Sequence, residues 1–149
     1  MTSFNLLLGW GTARLVPIQT LIRDEREVFS YASDGTVLAW RPGIRRPPAI
    51  EIACDVERSD EDLSDDLLGV LDWIDSDAVR LWTRLETACK MARVPVVEAV
   101  LRPTVRRQLL AISRTCSFMT VEHSGKTCTF GLAIPPCQES ERLGIEKAL

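Results

Sequence analysis

Apolar and polar positions change their spacing several times along the chain, and each change marks a boundary. From Phe4 to Trp10 they alternate, with Phe4, Leu6, Leu8 and Trp10 on one face, as in a strand with one buried side. Thr12 to Asp24 fits two patterns. Leu15, Ile18 and Ile22 share a helical face, yet Pro17 would remove a helical hydrogen bond, which leaves helix and irregular extended chain equally open. Val28 to Arg41 reads as two strands around Ser33-Asp34-Gly35-Thr36. A two-residue Asp-Gly turn there pairs Phe29 with Trp40 and Tyr31 with Leu38, placing the aromatics in the core. Arg41 to Pro48 carries three prolines and a glycine and is a loop, and Ala49 to Val56 resumes the strand pattern.

The spacing then turns helical. Ser59 suits an N-cap, with Asp62 three residues on, and Leu63, Leu67, Val70, Leu71 and Ile74 make the apolar face of a first helix. A second begins near Ser76 or Asp77, with Ala78, Leu81, Trp82, Leu85, Ala88, Cys89 and Ala92 in one stripe. Arg80, Thr83, Arg84, Thr87 and Lys90 face away from it, on the outside of the helix. Pro95 and Pro103 predict an end near Arg93, a short helical turn, and a third helix from Pro103 with Val105, Leu109 and Ile112 inward. Ser117 to Glu122 and Thr127 to Ile134 form a second hairpin, whose returning strand puts Cys128, Phe130, Leu132 and Ile134 on one face.

Together these elements predict an α+β domain over residues 1–136. Two hairpins plus flanking strands build an antiparallel sheet, and a layer of about three helices (59–114) covers one face. Residues 137–149 form a polar tail with a short helix as one option, weakened by Gly144. At 149 residues, 46% hydrophobic and 26% charged, the chain has the size and balance of one globular domain. No apolar run is long enough to cross a bilayer, and Met1 to Trp10 lacks the basic start and small-residue cleavage site of a secretory signal. Five scattered cysteines suit reduced thiols, so a cytoplasmic location is expected.

Charge divides the helical half. Asp55 to Asp77 holds ten acids against Arg58 alone, whereas Ala78 to Arg114 holds eight bases against Glu86 and Glu98. Arginine outnumbers lysine 15 to 3. Two binding roles follow. An acidic face of Asp60, Asp65, Asp66, Asp72 and Asp75 would meet a basic patch on another protein, as in an adaptor, inhibitor, antitoxin-like or chaperone-like factor. The alternative is nucleic acid, most simply RNA, held by Arg41, Arg45, Arg46, Arg102, Arg106, Arg107 and Arg114 if loop and helix lie on one side. The acidic pI of about 5.2 opposes it. Self-association through the edge strand near Phe4 to Trp10 is a further expectation.

Candidate chemistry adds little. The single histidine, His123, falls in a predicted turn, which argues against a catalytic triad and for a non-enzymatic role. Cys116, His123, Cys128 and Cys137 are zinc-type ligands, but no close C-x2-C pair is among them and Cys128 points to the core; no metal or other cofactor is expected. The acidic run does not match an EF-hand loop, and Gly9-Trp10-Gly11 lacks the remaining elements of a phosphate loop.

Overall fold

A computed structural model describes residues 2–7, 9–43 and 50–133. Among these described residues seven strands form two antiparallel sheets, joined by four α-helices in an α+β arrangement. In the first sheet β1 (Thr2–Asn5), β2 (Thr12–Pro17), β4 (Thr36–Arg41) and β3 (Val28–Tyr31) lie in that order. In the second β7 (Lys126–Ala133) lies between β5 (Glu51–Arg58) and β6 (Ser117–His123). The expectation of one sheet is therefore corrected to two.

The sheets face each other and meet at both margins. β3 runs beside β5, and at the other side Phe4 of β1 stacks on His123 of β6 with ring centroids 4.2 Å apart. The result is a roll whose interior holds Ala13, Leu15, Leu38 and Trp40 from the first sheet and Cys54, Val56, Cys128 and Phe130 from the second. Trp40 is its centre. It is wholly buried, donates from Nε1 to the Trp10 carbonyl at 2.8 Å and meets the edge of Phe130 at 5.2 Å. The outer face of the first sheet is crossed by residues 18–27, tied down where Arg14 donates to both carboxylate oxygens of Glu27 and to the Ile22 carbonyl. Thr12 to Pro17 is thus a strand followed by a single 3-10 turn at Ile18–Thr20, and Ile18 and Ile22 are exposed.

Helix α2 (Ala78–Ala92) lies on the opposite face of the second sheet, against β5 and β7. On its far side α1 (Asp65–Leu71), α3 (Val96–Leu101) and α4 (Pro103–Ser113) enclose an apolar cluster of Leu71, Leu85, Cys89, Ala99, Val105 and Leu109. The molecule is therefore layered: first sheet, second sheet, α2, then the remaining helices. Because α2 is covered on two sides, Thr83 and Thr87, assigned to its outer face by the apolar stripe, are fully buried against the sheet. Pro103 starts α4 as expected, since the first turn needs no N–H from it.

Two local expectations are corrected. The first hairpin closes on three residues, Ser33 to Gly35, with Gly35 at φ +83°, so Phe29 pairs with Ala39 and Tyr31 with Val37. That one-residue slip turns the aromatics outward: Tyr31 is 44% exposed, and Arg23 lies over the Phe29 ring. The two-residue turn with both central residues at positive φ occurs instead in the second hairpin, at Ser124 and Gly125. At the first helix, Ser59 is not the cap. β5 continues to Arg58, paired with Lys126, and the Ser59 hydroxyl bonds Thr127. Ser64 caps α1, accepting from the Leu67 N–H at 3.2 Å.

Glycines decide one crossing. A Cβ on Gly11, at φ +97°, would stand 2.1 Å from the Arg41 carbonyl oxygen, and one on Gly43 would stand 2.2 Å from the Gly9 carbonyl oxygen. The β1–β2 connection and the end of β4 touch through bare backbone.

Candidate functional site

The two faces of the second sheet carry the residues of interest, because the strand period sends alternate side chains to the roll and to α2. On the α2 face Thr83 shares a hydroxyl–hydroxyl bond of 2.9 Å with Thr129, and Thr120 reaches the same Thr129 hydroxyl at 2.9 Å. Gly131 leaves the space into which Met91 and Thr87 settle. Near the β3 margin stands Asp55, only 3% exposed. Its Oδ1 accepts from Lys90 Nζ at 2.8 Å and from Ser30 Oγ at 3.1 Å, while Lys90 Nζ also donates to the Cys54 carbonyl. Asp55 Oδ2 is buried with no donor.

Glu86, one turn before Lys90 on α2, completes this cluster. Burial, then the charge of Asp55 and a hydrogen bond to it, push its carboxyl up to about 8. Glu57, two residues along β5, is also raised, by burial and then by Asp55 and Glu61. Burial first raises the thiols of Cys89, in the helical cluster, and Cys128, in the roll, to about 12, which makes them core groups and poor nucleophiles.

On the other side of α2 a groove of about 420 Å³ runs between α2, α4 and the start of β6. Trp73, Leu81, Leu85, Leu109 and Phe118 give it an apolar floor, and Arg84 and Arg114 stand at its rim. It continues past Leu81 and Phe118 to Arg80, Asp77 and Thr120. The Arg84 guanidinium lies over the Phe118 ring, 5.3 Å from its centroid, which holds it at the opening. Leu110, on the α4 side, is half exposed. The groove can take an apolar side chain and place a carboxylate against a planar guanidinium.

The residues expected to bind are distributed as follows. Asp60, Asp65, Asp66, Asp72 and Asp75 are all exposed, yet α1 spans only Asp65–Leu71 and carries just Asp65 and Asp66 of them. Asp60 lies in the turn after β5 paired with Arg58, Asp72 caps the end of α1 at φ 55°, and Asp75 opens a 3-10 turn. The arginines do not lie on one side. Arg41 ends β4 on the first sheet and pairs with Asp24, while Arg102, Arg106, Arg107 and Arg114 belong to the helical layer beyond the second sheet. Arg106 donates to the Ala99 and Val100 carbonyls near the end of α3, and Arg102 pairs with Glu98. Arg45 and Arg46 lie outside the described residues.

Of the zinc-type set, Cys116 opens onto the groove, Cys128 faces the roll interior and His123 stacks on Phe4; Cys137 lies outside the described residues. Among the described residues no group of three or more histidine, cysteine or acidic side chains could hold a metal ion. Nor, among them, is any helix long and apolar enough to cross a membrane. Residues missed in the sequence are Ser30, Asp55, Glu86 and Lys90. The usable signal was Glu86 and Lys90 at i, i+4 on a helix beside a strand with a central acid. Comparison of the chain with protein-family models, with curated proteins and with solved structures finds no match in any of the three.

Proposed function

We propose that this protein is a non-catalytic binding module that seats an acidic, apolar segment of a partner protein in the groove between α2, α4 and β6. The observation that carries the reading is the composition of that groove: an apolar floor of Leu81, Leu85, Leu109 and Phe118 beneath the exposed guanidinium groups of Arg84 and Arg114. Burying one leucine-sized side chain contributes about 1.5–3 kcal/mol, enough to hold a short segment when a carboxylate–guanidinium pair fixes its direction. Asp77 at the far end disfavours a second acid there, so the acidic residues of the segment belong beside Arg84 and Arg114. The exposed acids of residues 60–77 repel the carboxylates of such a segment at longer range, which favours approach with its acids toward Arg84 and Arg114.

Selection from a displayed peptide library tests this. Peptides with apolar residues at helical spacing and flanking Asp or Glu are expected to be enriched, and to be released when Arg84 and Arg114 are both changed to Glu. Enriched peptides indifferent to that double change, or enrichment of basic peptides, would sink the proposal.

A further inference from the structure

We propose that the Glu86 carboxyl donates a hydrogen to Oδ2 of Asp55, so that this single shared hydrogen latches α2 to the β5 margin of the second sheet. Asp55 is almost fully enclosed, and its two oxygens are treated unequally: Oδ1 receives Lys90 Nζ and Ser30 Oγ, and Oδ2 is buried with no permanent donor beside it. A buried carboxylate oxygen without a donor costs free energy. Glu86 is the neighbouring group able to supply one, and it can do so only as the neutral acid.

The division of the proton follows from who faces whom. Asp55 Oδ1 already accepts from Lys90 Nζ and Ser30 Oγ, so the hydrogen between the two carboxyl groups belongs to Glu86. From β5 the other acid near Glu86 is Glu57; on α2 itself the titratable neighbours are Lys90 and Cys89. β3 contributes the Ser30 hydroxyl, and β7 turns Thr127, Thr129 and Gly131 to this face, none of them titratable near neutrality. One cation, one anion and one neutral acid then balance, whereas ionising Glu86 would place two anions against one lysine.

The sign of the resulting pH dependence is fixed. Below the ordinary value of 4.5 Glu86 is neutral in both folded and unfolded chains; between there and about 8 only the folded chain holds the proton. Folding therefore takes up a proton in this window, and stability falls as pH rises through it, levelling above.

Thermal unfolding from pH 6 to 9, compared between wild type and Glu86→Gln, tests the latch. The glutamine amide donates to Asp55 at any pH. The variant is expected to match wild type at pH 6 and to lack the component of the wild-type decline, about 5 °C, that Glu86 supplies. Parallel pH profiles for the two proteins would overturn the proposal. A 13C carboxyl titration of wild type, with Glu86 assigned through its backbone, needs no variant: a midpoint near 8 supports the shared proton, and one below 6 overturns it.

Discussion

The two faces of the second sheet are made by the same three strands and are buried to a similar degree, yet they are held by different forces. Toward the roll, Cys54, Val56, Cys128 and Phe130 meet Trp40 and Leu38 in an apolar contact with few directional demands. Toward α2, Asp55, Thr129 and Gly131 meet Lys90, Glu86, Thr83, Thr87 and Met91, where each polar atom needs a partner at a fixed distance. Apolar packing tolerates small shifts of one layer on another. Hydrogen-bonded packing does not, so α2 should keep one registry on the sheet while the roll interior can adjust.

Substitutions can break or sharpen this contrast. The largest loss is expected on the roll side: Trp40→Ala should cost about 4 kcal/mol in chemical denaturation, through an unfilled cavity at the centre of both sheets. Asp55→Ala leaves Lys90 with Ser30 and the Cys54 carbonyl. Because Lys90 is half exposed, the cost should be about 2–3 kcal/mol, below that of a fully buried pair. A loss under about 0.5 kcal/mol would mean that this face is not held by its ionic cluster.

Smaller effects follow. Gly131→Ala brings a Cβ to 2.8 Å from both Met91 Cε and Thr87 Cγ2, and should cost about 2 kcal/mol. Adding Met91→Ala to that change is expected to recover only part of it, since Thr87 remains, and the double-mutant cycle reads the coupling. Thr83→Val should cost about 1 kcal/mol, because Thr129 keeps its bond to Thr120. Arg84→Glu should leave the denaturation midpoint within about 0.5 kcal/mol of wild type while weakening a groove-selected acidic peptide tenfold or more, by about 1.4 kcal/mol. The last variant separates the groove from the fold.

Much of the architecture was legible where one covered face produces one period. The stripe from Ala78 to Ala92, the proline that begins α4 and the alternation of Cys128, Phe130 and Leu132 all belong to this kind. Thr83 and Thr87 were misplaced because a helix covered on two sides meets an apolar cluster on one and hydroxyl groups on the other, and only the first leaves an apolar stripe. The slipped hairpin register was illegible for a different reason. Ser33-Asp34-Gly35 closes three residues as readily as Asp34-Gly35 closes two, and the choice depends on contacts from elsewhere in the chain, Lys126 bonding Asp34 at 2.8 Å among them. The groove draws its lining from α2, α4 and β6, so charge counts along the chain could not assemble it; they drew attention to the acids of 60–77 instead.

The crossing at Gly11 and Gly43 sets a rule of descent for this molecule. Leucines and valines in the roll can trade places over generations so long as volume is conserved, but two passes of naked main chain in contact admit no such exchange. Any drifted cousin that still closes its strands this way should be betrayed by that pair of vacancies long after its apolar residues have become unrecognisable.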